Sequence, residues 1–209
     1  MFPFDVILFD VGGVLLTNGW DRRERAAAAE HFRIDPAVLE ARHLSVFDAW
    51  ERGDIALDAY LDGAVFFVPR SFSREEFFAF ILSQSQLLPN GALGIVKELA
   101  ASKVCMLGVL NNEARETNEY RFKEFGLRRY FSVALSSCFL GLRKPELAIY
   151  RCALDILGAP PERVLFVDDR PENVAGAQAA GMKAIRFEGE DALRRELQRI
   201  GVSQIAMQA

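Results

Sequence analysis

The sequence predicts an α/β fold, a doubly wound Rossmann-like parallel sheet with a helical cap inserted after the first strand. Its apolar runs are short and continuous rather than alternating, which is typical of strands buried on both faces of a parallel sheet. The first two runs are separated by residues 10–103, far more than a simple crossover needs, and much of this stretch has a helical pattern.

Five apolar runs are predicted to form the sheet, at residues 4–9, 104–110, 131–135, 164–167 and 184–187. Between the later runs, apolar residues recur three or four positions apart, as on one face of a helix. Two such faces are formed by Leu93, Val96 and Leu99, and by Leu193, Leu197 and Ile200. Strands therefore alternate with helices in the second half of the chain, which is the pattern of a doubly wound domain.

The insert, predicted to span residues 16–88, has helix-start signals along its length. Pro36 marks a helix start, Asp54 is the expected N-cap of a helix over residues 55–61, and Ser73 with Glu76 forms a capping box. We therefore expect two domains. The core comprises residues 1–15 and 89–209, and the helical cap comprises residues 16–88.

Composition narrows the classes of function and partner. The net charge of −4 comes without any basic block, so we expect no nucleic-acid partner. No apolar run reaches the ~18 residues of a membrane span, and the N-terminal apolar run lacks the basic segment of a signal peptide. Three cysteines without CxxC spacing favour neither a disulfide scaffold nor a zinc site, and favour the cytoplasm. The oligomeric state stays open.

The ends of the predicted strands carry the residues with catalytic chemistry. In an open α/β sheet, ligands bind beyond the carboxyl ends of the strands. The side chains expected at that edge are Asp10 after the first strand, Asn111 and Asn112 after the second, Lys144 beyond the third, and Asp168 and Asp169 after the fourth.

This combination of groups favours a metal-assisted reaction on phosphate. Three neighbouring carboxylates repel one another unless a cation lies between them. Oxygen ligands without His or thiolate favour a hard divalent ion, Mg²⁺ before Zn²⁺. Lys144 and the amides of Asn111 and Asn112 add donors for a phosphate dianion. A nucleophilic carboxylate, a metal and a fixed cation suit phosphoryl transfer through an aspartyl-phosphate.

The order Asp10, Asn111, Lys144-Pro145, Asp168-Asp169 resembles the four motifs of the haloacid dehalogenase-like superfamily. The resemblance covers nearly the whole chain, including a helical insert between the first two motifs, as in the helical-cap subfamily. The run FDVGGVL at residues 9–15 is similar to the branch that contains a bacterial glucose-1-phosphate phosphatase. The residues Glu51-Arg52-Gly53 and Arg143-Lys144-Pro145 are similar to that branch too.

The resemblance implies a Mg²⁺-dependent phosphatase that acts on a small phosphorylated metabolite, with a sugar phosphate as one option. It also implies a role for each matched residue. Asp10 is the nucleophile and, with the Gly12 carbonyl and Asp169, binds Mg²⁺. The remaining residues contact phosphate or support those that do: Lys144, Asn111 and the backbone around Asn112 bind the phosphoryl group, Asp168 orients Lys144, and Asn173 lies behind the metal ligands.

Two residues differ from the family pattern. Gly12 stands where most family phosphatases have an Asp that protonates the leaving group, and Asn111 stands where Ser or Thr is usual. Losing a general acid typically slows a reaction by ~10²–10⁴-fold, so good leaving groups, such as an anomeric sugar oxygen, suffer least. The Asn111 amide can still donate to phosphate.

Two alternative functions stay open. One is a non-catalytic relative that keeps the pocket for binding, which Gly12 and Asn111 motivate. The other is a metal-independent haloacid dehalogenase, against which the acidic pair Asp168-Asp169 counts.

The insert carries further residues of interest, namely Trp20, Trp50, Arg22 and Arg52. Such residues are more often structural than substrate-binding, and His43 is a weak candidate for a catalytic acid. The phenylalanine clusters at residues 66–67 and 77–80 are expected in the core of the insert.

Overall fold

A computed structural model describes residues 2–202 of the chain. It contains a five-stranded sheet in the order β3-β2-β1-β4-β5, in which every neighbouring pair is parallel. Each predicted strand is confirmed, with ends shifted by no more than two residues. The strands are β1 (Val6–Phe9), β2 (Met106–Asn111), β3 (Val133–Ser136), β4 (Val164–Asp168) and β5 (Lys183–Arg186).

The central strand β1 shows why the sheet is covered on both sides. Its alternate residues point to opposite faces, and all four are buried. Ile7 and Phe9 belong to one hydrophobic cluster, and Val6 and Leu8 belong to another. The apolar run was therefore continuous because both faces of the strand needed apolar side chains.

Helices cover both faces of the sheet, which confirms the doubly wound architecture. The first cluster contains residues of α5 (Leu93–Ser102) and α10 (Glu190–Arg199), and the second contains residues of α8 (Leu147–Leu157) and α9 (Pro171–Ala179). The remaining helices of this part are α6 (Arg115–Glu124), the short α7 (Ser137–Leu140) and 3₁₀ turns at Leu127–Arg129 and Pro161–Arg163.

The insert folds into α1 (Arg22–His31), α2 (Pro36–Arg52), α3 (Leu57–Ala64) and α4 (Arg74–Ser83). The capping box of Ser73 and Glu76 is confirmed at the start of α4. No helix of the described residues is long and apolar enough to cross a bilayer.

The prediction that Asp54 caps the third helix was wrong. Ala56 occupies the N-cap position of α3, and its own side chain makes no capping hydrogen bond. The backbone N–H groups of Asp54 and Ile55 instead donate to Ala49 O in the closing turn of α2. The backbone N–H of Leu57, at the start of α3, donates to the carboxylate of Glu116 on α6 at 3.2 Å. A partner distant in sequence therefore replaced the local cap.

Aromatic side chains fill the core of the insert, as expected. Trp50 and Tyr60 stack with ring centroids 4.0 Å apart, and Trp20 meets Phe77 edge-on at 5.8 Å. The partly buried Phe66, Phe78 and Phe80 pack against this cluster.

The two segments that join the insert to the sheet run side by side. Leu16 pairs with Leu87 in an antiparallel bridge, and Thr17 N–H donates to Gln86 O. The insert therefore enters and leaves at one place, next to the end of β1.

Candidate active site

Three carboxylates meet at the carboxyl ends of β1 and β4. Asp10 follows β1, Asp168 ends β4, and Asp169 comes next. One oxygen from each can be chosen so that all three lie within 4.8 Å of one another. β1 is where the strand order reverses, since β2 lies on one side of it and β4 on the other. The carboxylates thus lie at the topological switch point, where open α/β sheets bind ligands.

Lys144 joins two of these carboxylates. Its ammonium group lies 3.0 Å from Asp10 Oδ1 and 2.6 Å from Asp168 Oδ2, and the residue is only 3% exposed. Asp168, which is fully buried, also accepts from the amide of Asn173 through both oxygens, at 3.0 and 3.1 Å, and from Arg170 N–H at 2.9 Å. Asp168 is thereby held in place, and it fixes the direction of Lys144.

Burial and charge shift the pKa values of this cluster. Burial raises the pKa of Asp10 to about 7, against the opposing effect of Lys144, and the neighbouring Asp168 raises it further. Burial and Asp168 also raise the pKa of Asp169. Burial alone would lower the pKa of Lys144, but the two carboxylates outweigh it, and the pKa lies above its ordinary value. Three acids facing one ammonium favour a further cation.

Two observations fit a hard metal ion at this place. Asp169 Oδ1 is buried and has no hydrogen-bond partner among residues 2–202, although such oxygens are normally satisfied. Gly13 leaves room beside it, because a Cβ atom there would lie 2.3 Å from Asp169 Oδ2. The donor set contains only oxygen, as Mg²⁺ prefers. A bond from the Gly12 carbonyl to the metal stays a prediction.

The two predicted amides lie close to the carboxylates but have other partners. The side chain of Asn112 makes two bonds of 2.9 Å with the backbone of Lys144, one to its carbonyl and one from its N–H. Asn111 is 1% exposed, and its amide donates to Asn118 at 3.1 Å. Asn112 thus fixes the position of Lys144, a role that the sequence analysis missed. A bond from Asn111 to phosphate stays a prediction.

Arg121 on α6 is a second residue that the sequence analysis missed. It is 2% exposed and donates to Glu113 at 2.7 Å, to Ser85 at 3.0 Å, and to the carbonyls of Thr17 and Asn18 at 2.9 and 2.6 Å. It therefore ties both connecting segments of the insert to the core. Nothing in its local sequence indicated this, since its partners Thr17 and Asn18 are more than a hundred residues away.

The same arginine borders the position where Gly12 lacks a side chain. A Cβ atom on Gly12 would lie 3.0 Å from Asn18 Oδ1 and 3.6 Å from the Arg121 guanidinium. An acid at this place would face a buried positive charge that favours its ionised form. Such an acid would therefore be a poor proton donor, which agrees with the absence of a general acid at Gly12.

A cavity of about 290 Å³, hereafter the pocket, lies between the carboxylates and the insert. From the core it is lined by Asp10, Lys144 and Arg170, among others. From the insert it is lined by Arg22, His43 and an apolar set, Trp20, Leu44, Phe47 and Trp50. Trp20 and Trp50 thus face the pocket as well as packing in the core of the insert, and Arg22 faces the pocket from α1.

Ion pairs between the insert and the core close one side of the pocket. Arg143, next to Lys144, donates to Glu51 at 2.7 Å and pairs with Asp48, both on α2. Arg52 does not line the pocket and pairs with Glu146 on the core. Burial raises the pKa of Glu51 to about 7, although Arg143 opposes this shift. The end of α2 is thereby joined to the loop that carries Lys144.

A model of the haloacid dehalogenase-like hydrolases matches residues 4–181. The chain belongs to this family. The predicted family and fold are thereby confirmed, and the family is one of hydrolases. The glucose-1-phosphate phosphatase branch stays a prediction.

Two relatives in this family share sequence over most of the chain. Flavin mononucleotide hydrolase 1 of Arabidopsis thaliana is 29% identical over 79% of this chain and 66% of its own length. Phosphoglycolate phosphatase of Xanthomonas campestris is 26% identical over 86% of this chain and 80% of its own length. The chain spans less than two thirds of three curated relatives that it matches, at 13%, 38% and 66% of their lengths.

A solved structure has the same fold. It is a haloacid dehalogenase family enzyme of Bacteroides thetaiotaomicron in a magnesium complex. It superimposes with a TM-score of 0.75 and 21% identity, covering 90% of this chain and 94% of that one.

Proposed function

We propose that this hydrolase is a Mg²⁺-dependent phosphatase that cleaves a small phosphorylated metabolite through an aspartyl-phosphate on Asp10. The observation that carries the proposal is the buried cluster of Asp10, Asp168, Asp169 and Lys144 at the switch point of the sheet. Such a cluster supplies a nucleophile, a cation site and a fixed positive charge beside one another. Relatives named as phosphatases or phosphate-ester hydrolases support the same reaction.

In this proposal Asp10 attacks phosphorus. Its Oδ1 accepts from Val11 N–H at 2.8 Å and from Lys144, which fixes the carboxylate and leaves Oδ2 for the substrate. Lys144 would then neutralise the incoming phosphate dianion, held in position by Asp168 and Asn112.

Asp10, Asp169 and the Gly12 carbonyl would hold the magnesium ion, and Asn173 would support them through Asp168. When bound, Mg²⁺ shields the phosphoryl charge from the attacking carboxylate.

The bonds change in two steps. A carboxylate oxygen of Asp10 forms a bond to phosphorus while the ester O–P bond breaks, and the leaving oxygen takes a proton from water. A water molecule then attacks phosphorus, which releases inorganic phosphate and restores the carboxylate. Because Gly12 offers no proton, esters whose leaving oxygen is already a weak base react fastest.

The remaining parts of the proposal concern the setting of the enzyme. We assign residues 16–88 as a cap domain that covers the pocket and moves to admit substrate. The substrate is a small phosphorylated molecule, with a sugar phosphate as one option. The free thiols of Cys105, Cys138 and Cys152 suit the cytoplasm.

The test uses para-nitrophenyl phosphate, whose good leaving group makes the missing acid unimportant. We expect turnover that needs Mg²⁺, stops with a chelator and is lost in Asp10→Asn. Asp5 just before β1, exposed and paired with Arg163, supplies the matched control, and Asp5→Asn should retain turnover.

Two other outcomes would redirect the assignment. Folded protein that binds Mg²⁺ and a phosphate mimic but turns over no ester would establish the binding-only alternative, which Gly12 and the Asn111–Asn118 bond motivate. Halide release from a 2-haloacid without Mg²⁺ would establish the dehalogenase, against which the buried Asp168 and its neighbour Asp169 still count.

A further inference from the structure

His43 on α2 ends a chain of hydrogen bonds inside the insert. Trp20 Nε1–H lies 2.7 Å from Tyr60 Oη, and the same oxygen lies 2.8 Å from His43 Nδ1. Tyr60 is fully buried and His43 is 1% exposed. This chain of hydrogen bonds was not predicted, because its members lie on three separate segments of the insert.

The chain fixes where the protons are. An indole N–H can only donate, so Tyr60 accepts from Trp20, and among the described residues His43 Nδ1 is the acceptor within reach of the Tyr60 proton. Nδ1 of His43 is therefore an acceptor, and the ring proton sits on Nε2. Burial lowers the pKa of His43 to about 3, Arg25 lowers it further, and Glu40 opposes them. The ring is neutral at ordinary pH.

Nε2–H of His43 is presented to the pocket. His43 lines that cavity, while Tyr60 covers its other ring nitrogen. The buried side-chain polar atoms without a partner in residues 2–202 are Asn111 Oδ1 and Asp169 Oδ1, so Nε2 is not sealed in the protein. The insert thus holds one oriented donor among the aromatic walls formed by Trp20, Phe47 and Trp50.

The charges around this donor are unbalanced. Arg25, Arg121 and Arg143 line the pocket, but each is paired with a carboxylate, on Glu40, Glu113 and Glu51 respectively. Arg22 from the insert and Arg170 from the core line it without any ion pair or side-chain hydrogen bond among the described residues. The substrate end of the pocket therefore offers positive charge and donors, while its acids, other than those of the metal cluster, already have partners.

We propose that His43, Arg22 and Arg170 form a recognition site for a second anionic group, a carboxylate or a further phosphate, on the leaving group of the substrate. This inference rests on the proposed phosphatase function and narrows its substrate class. Arg22 and Arg170 are both exposed, and an anionic group on the substrate would give each guanidinium a charged partner, which a neutral polyol would not. The site binds rather than protonates, because a ring that stays neutral with its proton on Nε2 is a hydrogen-bond donor and a very weak acid.

The test compares two esters that differ only in charge, 4-carboxyphenyl phosphate and 4-carbamoylphenyl phosphate. Their ring suits the aromatic walls, and the ratio of their kcat/KM values between variants cancels leaving-group reactivity. Arg22→Gln and Arg170→Gln should each lower the preference for the carboxylate by ~10-fold, the usual size for a lost charged hydrogen bond. Arg23→Gln alters an exposed arginine beside Arg22 that does not line the pocket, and should leave the ratio unchanged.

His43 is tested in the same assay. His43→Leu should lower kcat/KM for both esters and raise KM more than it lowers kcat, since a binding contact is lost. His43→Gln should restore most of the loss, because its amide can accept from Tyr60 and donate to the pocket. Nitrogen-15 spectra of the wild-type protein, which need no variant to fold, should show one protonated ring nitrogen in His43, on Nε2.

Binding separates failure of this site from failure of the phosphatase. The non-hydrolysable 4-carboxybenzyl and 4-carbamoylbenzyl phosphonates can be titrated into the Mg²⁺-loaded protein whether or not esters turn over. If no ester is turned over but the protein still prefers the carboxylate-bearing phosphonate, and this preference depends on Arg22, the phosphatase proposal fails and the recognition site is supported. Three results would each overturn the proposed recognition site. They are equal binding of both phosphonates, a ratio of kcat/KM values for the two esters that the arginine variants do not change, and an Nδ1–H tautomer of His43.

Discussion

The two walls of the pocket differ in which of their charged groups lack a partner. On the core side, Asp10, Asp168 and Asp169 crowd around a single ammonium, and one buried oxygen has no partner among the described residues. On the insert side, Glu51 is paired with Arg143 and Asp21 accepts hydrogen bonds from Arg23 N–H and Asn18, while Arg22 is in no ion pair among the described residues. This contrast supports the two proposals, in which the core wall holds a cation and the reacting phosphorus and the insert wall recognises the group attached to that phosphorus.

The two regions also differ in how they are packed. The clusters on the sheet consist mostly of aliphatic side chains such as Ile7, Leu8 and Leu165, whereas the cluster of the insert has a larger share of rings with polar edges, such as Trp20 and Tyr60. Aliphatic packing fixes strand ends without polar contacts, while polar-edged rings need partners for their N–H and O–H groups. The insert can therefore orient a donor such as His43 through its own core.

The largest effect is expected from removing the charge on the core wall. Lys144→Met should reduce turnover of para-nitrophenyl phosphate by ~10²–10³-fold, because the cation that contacts both Asp10 and Asp168 is lost. Steady-state kinetics measure this, with Lys183→Met, an exposed residue at the start of β5, as the control. A normal kcat in Lys144→Met would show that the charge of the core wall does not contribute to the reaction.

A smaller loss should follow from filling the space beside the metal ligands. In Gly13→Ala the new methyl group would lie 2.3 Å from Asp169 Oδ2, so the carboxylate must move, and Mg²⁺ affinity should fall by ~10–100-fold. Gly158→Ala is the matched control, since Gly158 also has a positive φ but no atom within 4 Å of the new Cβ. It should cost about 1–2 kcal/mol of stability and leave Mg²⁺ affinity unchanged. Calorimetric titration with Mg²⁺ distinguishes the two variants.

On the insert side, removing one hydroxyl group should weaken the fold rather than the chemistry. Tyr60→Phe leaves Trp20 Nε1–H and His43 Nδ1 without partners, at a cost of about 1–3 kcal/mol in the free energy of unfolding. Urea denaturation measures the change, and Tyr130→Phe, a partly buried residue outside this chain, should cost much less. Equal losses in the two variants would mean that the hydrogen bonds of Tyr60 contribute little.

The last effect concerns acid. His43 has a pKa of about 3 in the folded protein and an ordinary value of 6.5, so the unfolded chain binds the extra proton between these values. Its contribution to stability is present above pH 6.5 and is lost as the pH falls towards 3, by at most about 1.4 kcal/mol per pH unit. The unfolding free energy of His43→Gln should therefore fall less steeply than that of the wild type between pH 6.5 and 4.5. Parallel curves would contradict the neutral, buried ring.

The core wall could be predicted from the sequence because its geometry follows from strands. A parallel sheet brings the ends of its strands to one edge, so Asp10, Asp168 and Lys144 were expected together before any distance was known. The helices of the insert were predicted from caps and periodicity. The prediction of Asp54 as an N-cap was wrong, since the carboxylate that bonds the start of α3 comes from Glu116 on the core.

The insert wall could not be predicted in this way. The roles of His43 and Arg121 depend on hydrogen bonds to residues far away in sequence, and helix periodicity does not say which buried side chain faces a pocket. Asn112 was expected near phosphate, but its amide holds the backbone of Lys144, a contact that depends on how the loop after β3 folds back.

Chemical trapping tests the central claim most directly. The protein is mixed with para-nitrophenyl phosphate and Mg²⁺, quenched in acid, reduced with borohydride and digested for mass spectrometry. Borohydride reduces an acyl phosphate to an alcohol, so an aspartyl-phosphate becomes homoserine. We predict homoserine at position 10, dependent on substrate and Mg²⁺. Turnover with Asp10 unmodified, or with homoserine at Asp168 or Asp169 instead, would contradict the account.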